Sequence, residues 1–513
     1  MSQLCFLVIF GLMFVRKKLN KSGLVSVQVI DKSTGRYSVH KTIGSSSNED
    51  EILQLVSVGE KYIRDYVGLK ELDFSNYDEI YSQVMASINT HQLVGIDLVL
   101  GKIFDEIGFN CIEDELFKDL VLFRLVYPKS KLKTTEYLRR YSKKNYSEDD
   151  VYRYMDKLND NQKDLVQQIS FEHTLKVLSQ GIQVVFYDVT TIYFETDYED
   201  DLRKTGFSKE GKHQNPQIVL GLLVSEGGYP LAYDIFEGKQ YEGHTMLPII
   251  NGFRDKYKLE RLVVVADSGL LSSQNINELI TNNYEFILGA RIKNEKQEIK
   301  DEIQKLNLKN GECKTIKKGD LSLIITYSEH RAKKDKYNRD KGIKRLEKSL
   351  KTGKLTKTSI NNRGYNKFLE MDGDVQLTLD QQKIKNDEKW DGLKGYITNS
   401  NLSENEILDN YKQLWMIEKA FRIAKTDLKI RPVFHYKRRR IEAHICLNFV
   451  AYKVYKELER QLKIMQSDLS PEKVIEIVQS IYQIEAIAPN KTIYKKLLLI
   501  SDEHLKIQEL FKI

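Results

Sequence analysis

The chain has 513 residues, length for about three domains, and its 41% hydrophobic and 30% charged residues allow a packed core and exclude a disordered chain. Its formal net charge is only +7, yet residues 331–363 hold 13 Lys/Arg against 3 Asp/Glu, a pattern suited to a polyanion-binding surface or to a solvated lysine-rich helix. The four cysteines, Cys5, Cys111, Cys313 and Cys446, stand far apart, which excludes a disulfide framework or zinc knuckle and fits a reducing cytoplasm.

The first apolar stretch, residues 4–15, is too short to span a bilayer. No basic residue precedes it, unlike a signal peptide, and Arg16-Lys17-Lys18 follows. Translation is therefore expected to start at Met13, the other reading being a cryptic export signal. Residues 24–31 and 36–43 are extended runs around Ser33-Thr34-Gly35, which predicts a β-hairpin within residues 13–50. Residues 51–178 read as helical. One helix is expected at 131–141, and Ser147-Glu148-Asp149-Asp150 resembles a capping box opening another at 151–158. With Arg139, Arg140, Lys143 and Lys144 beside them, these two helices suit a helix-turn-helix DNA reader or an ordinary helical bundle.

From Gly181 the pattern changes. Residues 182–187 form an apolar strand ending at Asp188, and 217–225 with 229–236 form a hairpin turning at Glu226-Gly227-Gly228. A helix near 246–257 precedes a second apolar strand, 262–266, ending at Asp267; a helix at 272–282 and a strand at 284–289 follow. Residues 291–390 mix strands with basic helix, and 394–399 and one long helix over about 404–428 close the pattern. Strands alternating with helices after an antiparallel start predict a mixed α/β sheet with an insertion. The expected division is 13–50, 51–178, a core at 179–290 and 393–456, an insertion at 291–392, and a helical tail at 457–513.

Asp188 and Asp267 each end a hydrophobic strand, where a carboxylate is costly unless paired. Each alone also reads as a cap for the next turn. Two at neighbouring strand ends repel, and a divalent cation relieves that repulsion. On a continuous helix, Tyr411, Trp415, Glu418, Arg422 and Lys425 share one face, since each residue turns about 100°. That face suits a metal-gripping carboxylate flanked by phosphate-holding cations, or a surface helix with a Glu418–Arg422 pair. Arg431 and Lys437-Arg438-Arg439-Arg440 add charge beyond it. Three carboxylates around Mg²⁺ or Mn²⁺ suffice for in-line phosphodiester chemistry, and no His/Cys cluster favours zinc. Lys209, in a loop following Asp188, is a candidate phosphate contact, as are Lys333 and Lys334 in the basic segment. His244 reads as a structural hydrogen-bonding residue or as a contact to DNA or metal, His444 as a satisfied core histidine, and Ser268 and Asn275 are expected to cap the helix after Asp267.

The three acids resemble the DDE set of RNase H-fold insertion-sequence transposases. The helix is similar to their Y-x2-R-x3-E-x6-K signature, standing here as Tyr411, Leu414, Glu418 and Lys425. Leu414 departs from the expected arginine, and Arg422 is the candidate to take over its phosphate. The segments YDVTT (187–191), GFSKEG (206–211), PQIVLGLLV (216–224), VVADSGL (264–270), YSEHRAKKD (327–335) and IEKAFRIAKTDLKIRPVFH (417–435) extend the resemblance over most of 181–455. The resemblance implies an RNase H-like mixed-sheet core interrupted by a β-rich, basic insertion, between a helical N-terminal region and a helical tail. The insert is similar to that of transposases that cut through a DNA hairpin. It further implies Mg²⁺-dependent cleavage and strand transfer, with Asp188, Asp267 and Glu418 as catalytic metal ligands. Tyr411, Arg422, Lys425, Lys209, Lys333 and Lys334 would contact DNA. The implied partners are double-stranded DNA, both terminal inverted repeats and target, and a second copy of the chain on paired ends, with no membrane, in a bacterial cytoplasm at the nucleoid. A nuclease without strand transfer and a catalytically silent DNA-binding derivative are the competing readings.

Overall fold

The computed structural model describes residues 12–66, 82, 85–158, 162–179, 181–208, 211–352, 355, 359–361, 364–372, 376–487 and 491–513. The chain divides into two compact units, 1–89 with 486–494 and 90–485 with 495–513.

In the first unit, β1 (Met13–Leu19), β2 (Val25–Asp31) and β3 (Ser38–Ser46) form an antiparallel sheet in that order. The hairpin expected from sequence is β2 with β3. β1 is an additional strand, since in the sequence it reads as the basic tail of the 4–15 run. Its Met13 and Val15 pack with Val29, Ile43 and Ile63, the last on α1 (Glu49–Tyr66). Its other end is Arg16-Lys17-Lys18, charges that discourage further strands from adding to an edge.

After a short helix at Lys102–Ile107, the second unit continues with α2 (Glu115–Val126), α3 (Lys131–Ser142), α4 (Glu148–Lys157) and α5 (Gln162–Val177). Ser130 caps α3, and Ser147 with Asp150 forms the capping box of α4 that the Ser-Glu-Asp-Asp run predicts. A short strand at Ile88–Leu93 interrupts the stretch expected to be helical. Of the basic residues flanking α3, Arg139 and Arg140 are exposed, whereas Lys144 bonds the buried Asp119 at 2.8 Å.

The main sheet has eight strands. In chain order these are β4 (Val184–Tyr193), β5 (Gln217–Ser225), β6 (Pro230–Glu237), β7 (Val263–Ala266), β8 (Glu285–Ala290), β9 (Cys313–Lys318), β10 (Leu321–Tyr327) and β11 (Leu393–Thr398). They lie in the order β9-β10-β11-β8-β7-β4-β5-β6. β4–β7 and β7–β8 pair in parallel and the other pairs are antiparallel, so the sheet is mixed. Alternate side chains feed two cores. Val185, Tyr187, Val264 and Phe286 meet Ile250 and Phe253 of α6 (Met246–Tyr257) and Leu279 of α7 (Ser273–Thr281). Val184, Phe186, Val265 and Ile287 join the larger core on the opposite face. That core is filled by α11 (Arg438–Ile464), a 27-residue helix buried on nearly every side.

Strands β9 and β10 lie within the segment 291–392 that the sequence sets apart, yet they extend this sheet through β10–β11 pairing. The reason is visible in Leu321–Tyr327, whose Leu323, Ile324 and Ile325 are all buried and need cover on both faces. After β10 the basic helix α8 (Glu329–Lys351) runs 23 residues.

The single helix expected over 404–428 is two: α9 (Glu404–Lys412) and α10 (Trp415–Thr426). Between them the backbone bonds tighten to three-residue spacing, Leu414 N–H to Tyr411 O at 3.1 Å and Met416 N–H to Gln413 O at 2.9 Å. Trp415, Glu418, Arg422 and Lys425 keep their helical spacing on α10, whereas Tyr411 lies on α9, off the face expected of a continuous helix, and is turned inward.

Candidate active site

The parallel pairing of β4 with β7 aligns Val184, Val185, Phe186 and Tyr187 with Val263, Val264, Val265 and Ala266. The next residue on each strand is Asp188 and Asp267. Adjacent strands lie about 4.8 Å apart, so register alone sets these two acids side by side. Alternation sends both toward the face that carries Phe186 and Val265, the face on which α10 packs through Ile417, Ala420 and Phe421. Asp188 does not end its strand, contrary to the expectation from sequence. β4 continues to Tyr193 against β5, while β7 stops at Ala266, so the sheet opens on one flank just where the acids stand. Asp188 is half-buried and Oδ1 accepts the Val189 N–H at 2.7 Å; Asp267 is exposed.

Tyr411 connects the aspartates to the helices. Its ring is buried against Tyr396 of β11, centroids 4.6 Å apart, and its hydroxyl donates to Asp267 Oδ1 at 3.1 Å. Gly289 on β8 makes room for it: a Cβ there would lie 2.5 Å from that hydroxyl and 2.9 Å from the Ser268 nitrogen. Burial, reinforced by the charges of Asp267 and Glu418, holds the Tyr411 hydroxyl well above its usual pKa, so it remains a donor.

Lys394 of β11 lies over the same ring, Nζ 4.5 Å from the Tyr411 centroid and 5.3 Å from that of Tyr396. Burial and the nearby Arg331 lower its pKa, while Asp267 and Glu418 pull it back up. Tyr411 and Lys394 thus both feel the charges of Asp267 and Glu418. Sequence reasoning missed Lys394. Its one trace there is a cation sharing the inward parity of Tyr396 in the run LKGYIT. From Asp267, Tyr411 and Lys394 a cavity of about 670 Å³ extends to Arg291, Arg331 and Trp390.

Glu418 sits on the exposed flank of α10, and no ion pair joins it to Arg422 among the described residues. Arg422 is exposed and Lys425 half-exposed on the same helix. Lys333 and Lys334 are exposed on α8, far in sequence from the acids; Lys209 lies outside the described residues. His244 is exposed, its ring edge-on to Tyr241. His444 is buried with Nε2 3.0 Å from Ile430 O. The cap of α7 is Ser272 rather than Ser268 or Asn275; the Asn275 amide turns back to Leu270 O at 2.8 Å, while Ser268 belongs to the preceding turn. Of the Lys437–Arg440 run, Arg439 and Arg440 are tied to Asp156 and Arg438 to Glu442.

Hard carboxylate oxygens from Asp188 and Asp267 fit a Mg²⁺ or Mn²⁺ ion. No three His, Cys, Asp or Glu side chains lie close enough to hold a metal among the described residues, so Asp188, Asp267 and Glu418 do not close into a three-carboxylate metal site here. Mutual repulsion between carboxylates opposes that closure, and the Tyr411 hydroxyl already engages one Asp267 oxygen. No helix among the described residues is long and apolar enough to cross a membrane.

The family described as Transposase DDE domain matches residues 179–453. Among solved structures, the chain is similar to a piggyBac transposase in a synaptic complex with hairpin DNA. The identity is 9% and the TM-score 0.39, over 77% of this chain and 80% of that one. No curated protein gives a significant match.

Proposed function

This chain belongs to the DDE transposase domain family, and on that premise we propose that it cuts and joins DNA strands at the terminal inverted repeats of an insertion sequence. Asp188, Asp267 and Glu418 are assigned as the catalytic carboxylates. The observation that carries the assignment is the β4–β7 register, which makes Asp188 and Asp267 neighbours on one face of the sheet. A divalent ion held by these acids supplies activation of water or of a 3′-hydroxyl and stabilises the leaving oxygen. The chain's own residues position and neutralise. Tyr411 fixes one Asp267 oxygen, and Lys394 offers an ammonium to a phosphate entering the cavity. Arg422 and Lys425 flank Glu418 with positive charge toward the incoming strand. On this reading the protein acts on double-stranded DNA as a homodimer on paired ends, at the nucleoid.

Cleavage of supercoiled donor plasmid with Mg²⁺ tests the assignment. Asp188→Asn, Asp267→Asn and Glu418→Gln are each expected to abolish nicking while end-duplex affinity stays within about threefold, since binding to DNA rests on phosphate contacts. Nicking by any one variant at the wild-type rate removes that acid from the site. Cutting by the wild type without joined products in a strand-transfer assay favours a nuclease instead.

A further inference from the structure

A second cavity, of about 240 Å³, lies off the end of β4 away from the carboxylates. Arg124 of α2 and Lys131 of α3 line it with Arg431, His435 and His444, and no Asp or Glu does. Arg124 is 6% and Lys131 4% exposed. Neither side chain has a hydrogen bond, ion pair or ring contact among the described residues. Buried cations are ordinarily paired, and two left unpaired beside each other are costly twice, by desolvation and by mutual repulsion. Burial alone brings the Arg124 pKa down to about 10, and burial with the charge of Arg124 lowers that of Lys131 further from its usual value. Burial first, and then the same two cations, lower the pKa of His435 and of His444. The N-terminus of the 12-residue helix α3, at Ser130 and Lys131, opens onto this cavity and adds the positive end of its dipole.

We propose that this cavity is a binding site for a phosphate group, held by Arg124, Lys131 and the N-terminus of α3. Arg124 supplies a planar fork that can take two oxygens, and Lys131 a point charge for a third. A phosphodiester of DNA and free phosphate share this chemistry, and the DNA source rests on the function proposed above. Position favours it. Val433, on the loop leaving the Glu418 helix, bonds the Tyr193 carbonyl with its N–H at 3.4 Å, so the cavity's wall is anchored to β4. Tyr193 is five residues beyond Asp188, about 16 Å along the strand, which B-DNA covers in about five base-pair steps. A duplex with one phosphate in the cavity has its scissile bond within reach of the acids.

Melting of the full chain in inorganic phosphate, against chloride at matched ionic strength, tests the site without any DNA. The wild type is expected to gain melting temperature saturably with phosphate. Lys131→Met and the near-isosteric Lys131→Gln should melt at or above the wild type in chloride, because a buried unpaired charge is gone, and should lose the phosphate response. Lys131→Met should also bind the end duplex about tenfold more weakly, with the slope of log affinity against log salt reduced by about one. Loss of the phosphate response with unchanged duplex affinity identifies free phosphate as the ligand. A wild type that ignores phosphate, or a Lys131→Met variant that keeps both the phosphate response and full duplex affinity, overturns the site. If the wild type binds no end duplex, the transposition reading fails, and the phosphate arm still decides this one.

Discussion

Tyr411 carries two incompatible roles, one from sequence and one from geometry. As the tyrosine of the signature it is expected at DNA; in the structure its ring is buried and its hydroxyl holds Asp267. Removing that hydroxyl leaves the ring packing intact and frees an acid that solvent can still reach, so stability should change by only about 1 kcal/mol. A group that orients a metal-binding carboxylate typically matters about 10–100-fold to activity. Tyr411→Phe is therefore expected to slow donor cleavage by that order with end affinity unchanged. Single-turnover cleavage and fluorescence anisotropy on one preparation separate the roles. Weakened anisotropy with normal cleavage returns Tyr411 to the DNA.

Helix α8 shows how far a charge run can be read as a surface. Its net positive composition is visible in sequence, but not which cations are spent internally. Burial recurs at Arg339, Gly342 and Leu346, the helical spacing of a packed face, and at Gly342 a Cβ would meet the Tyr365 ring at 2.4 Å. Arg339 faces inward, with both terminal nitrogens on Asp391, one of them at 2.7 Å. Lys333, Lys334 and Lys336 face solvent. Arg339 is buried but Asp391 is 19% exposed, so Arg339→Ala should cost less than the about 3–5 kcal/mol of breaking a fully buried pair. The triple change of Lys333, Lys334 and Lys336 to Gln should leave melting nearly unaltered and flatten the salt dependence of DNA binding by about 0.9 for each phosphate that is no longer neutralised. A triple variant with the wild-type salt slope makes this face merely solvated. The same contrast explains what else was legible. Caps and strand-end acids are local and could be read from Ser147 or Asp267. The break at Gln413-Leu414 and the β10–β11 pairing depend on tertiary packing, which periodicity does not encode.

At the scale of the molecule, the second unit is organised around α11, whose inward face carries His444, Asn448, Lys453 and Glu457 as well as apolar side chains. Sequence suggested a mixed sheet and helices, and Asp188 and Asp267 as partners, because strand periodicity and apolar runs are written residue by residue. It did not disclose that Lys453 would be fully buried, its ammonium bonded to Ser170 O at 3.0 Å and Thr174 Oγ1 at 2.6 Å on α5. That arrangement sets the pH response. His173 of α5 lies beside Lys453 and 3.6 Å from Glu457, with Arg460 and Lys176 near. Burial first, and then the Lys453 charge, lower its pKa from 6.5 to about 4 against the opposing pull of Glu457. The unfolded chain therefore takes up a proton before the folded one does. The stability this histidine contributes is complete above pH 6.5 and is lost as pH falls toward 4. Between pH 7 and 5 one such site is worth on the order of 2 kcal/mol. Urea unfolding of the full chain at pH 7 and pH 5 should show the loss, and His173→Gln, which has no proton to gain, should show a smaller one. Equal pH sensitivity in the two proteins would assign the acid response elsewhere.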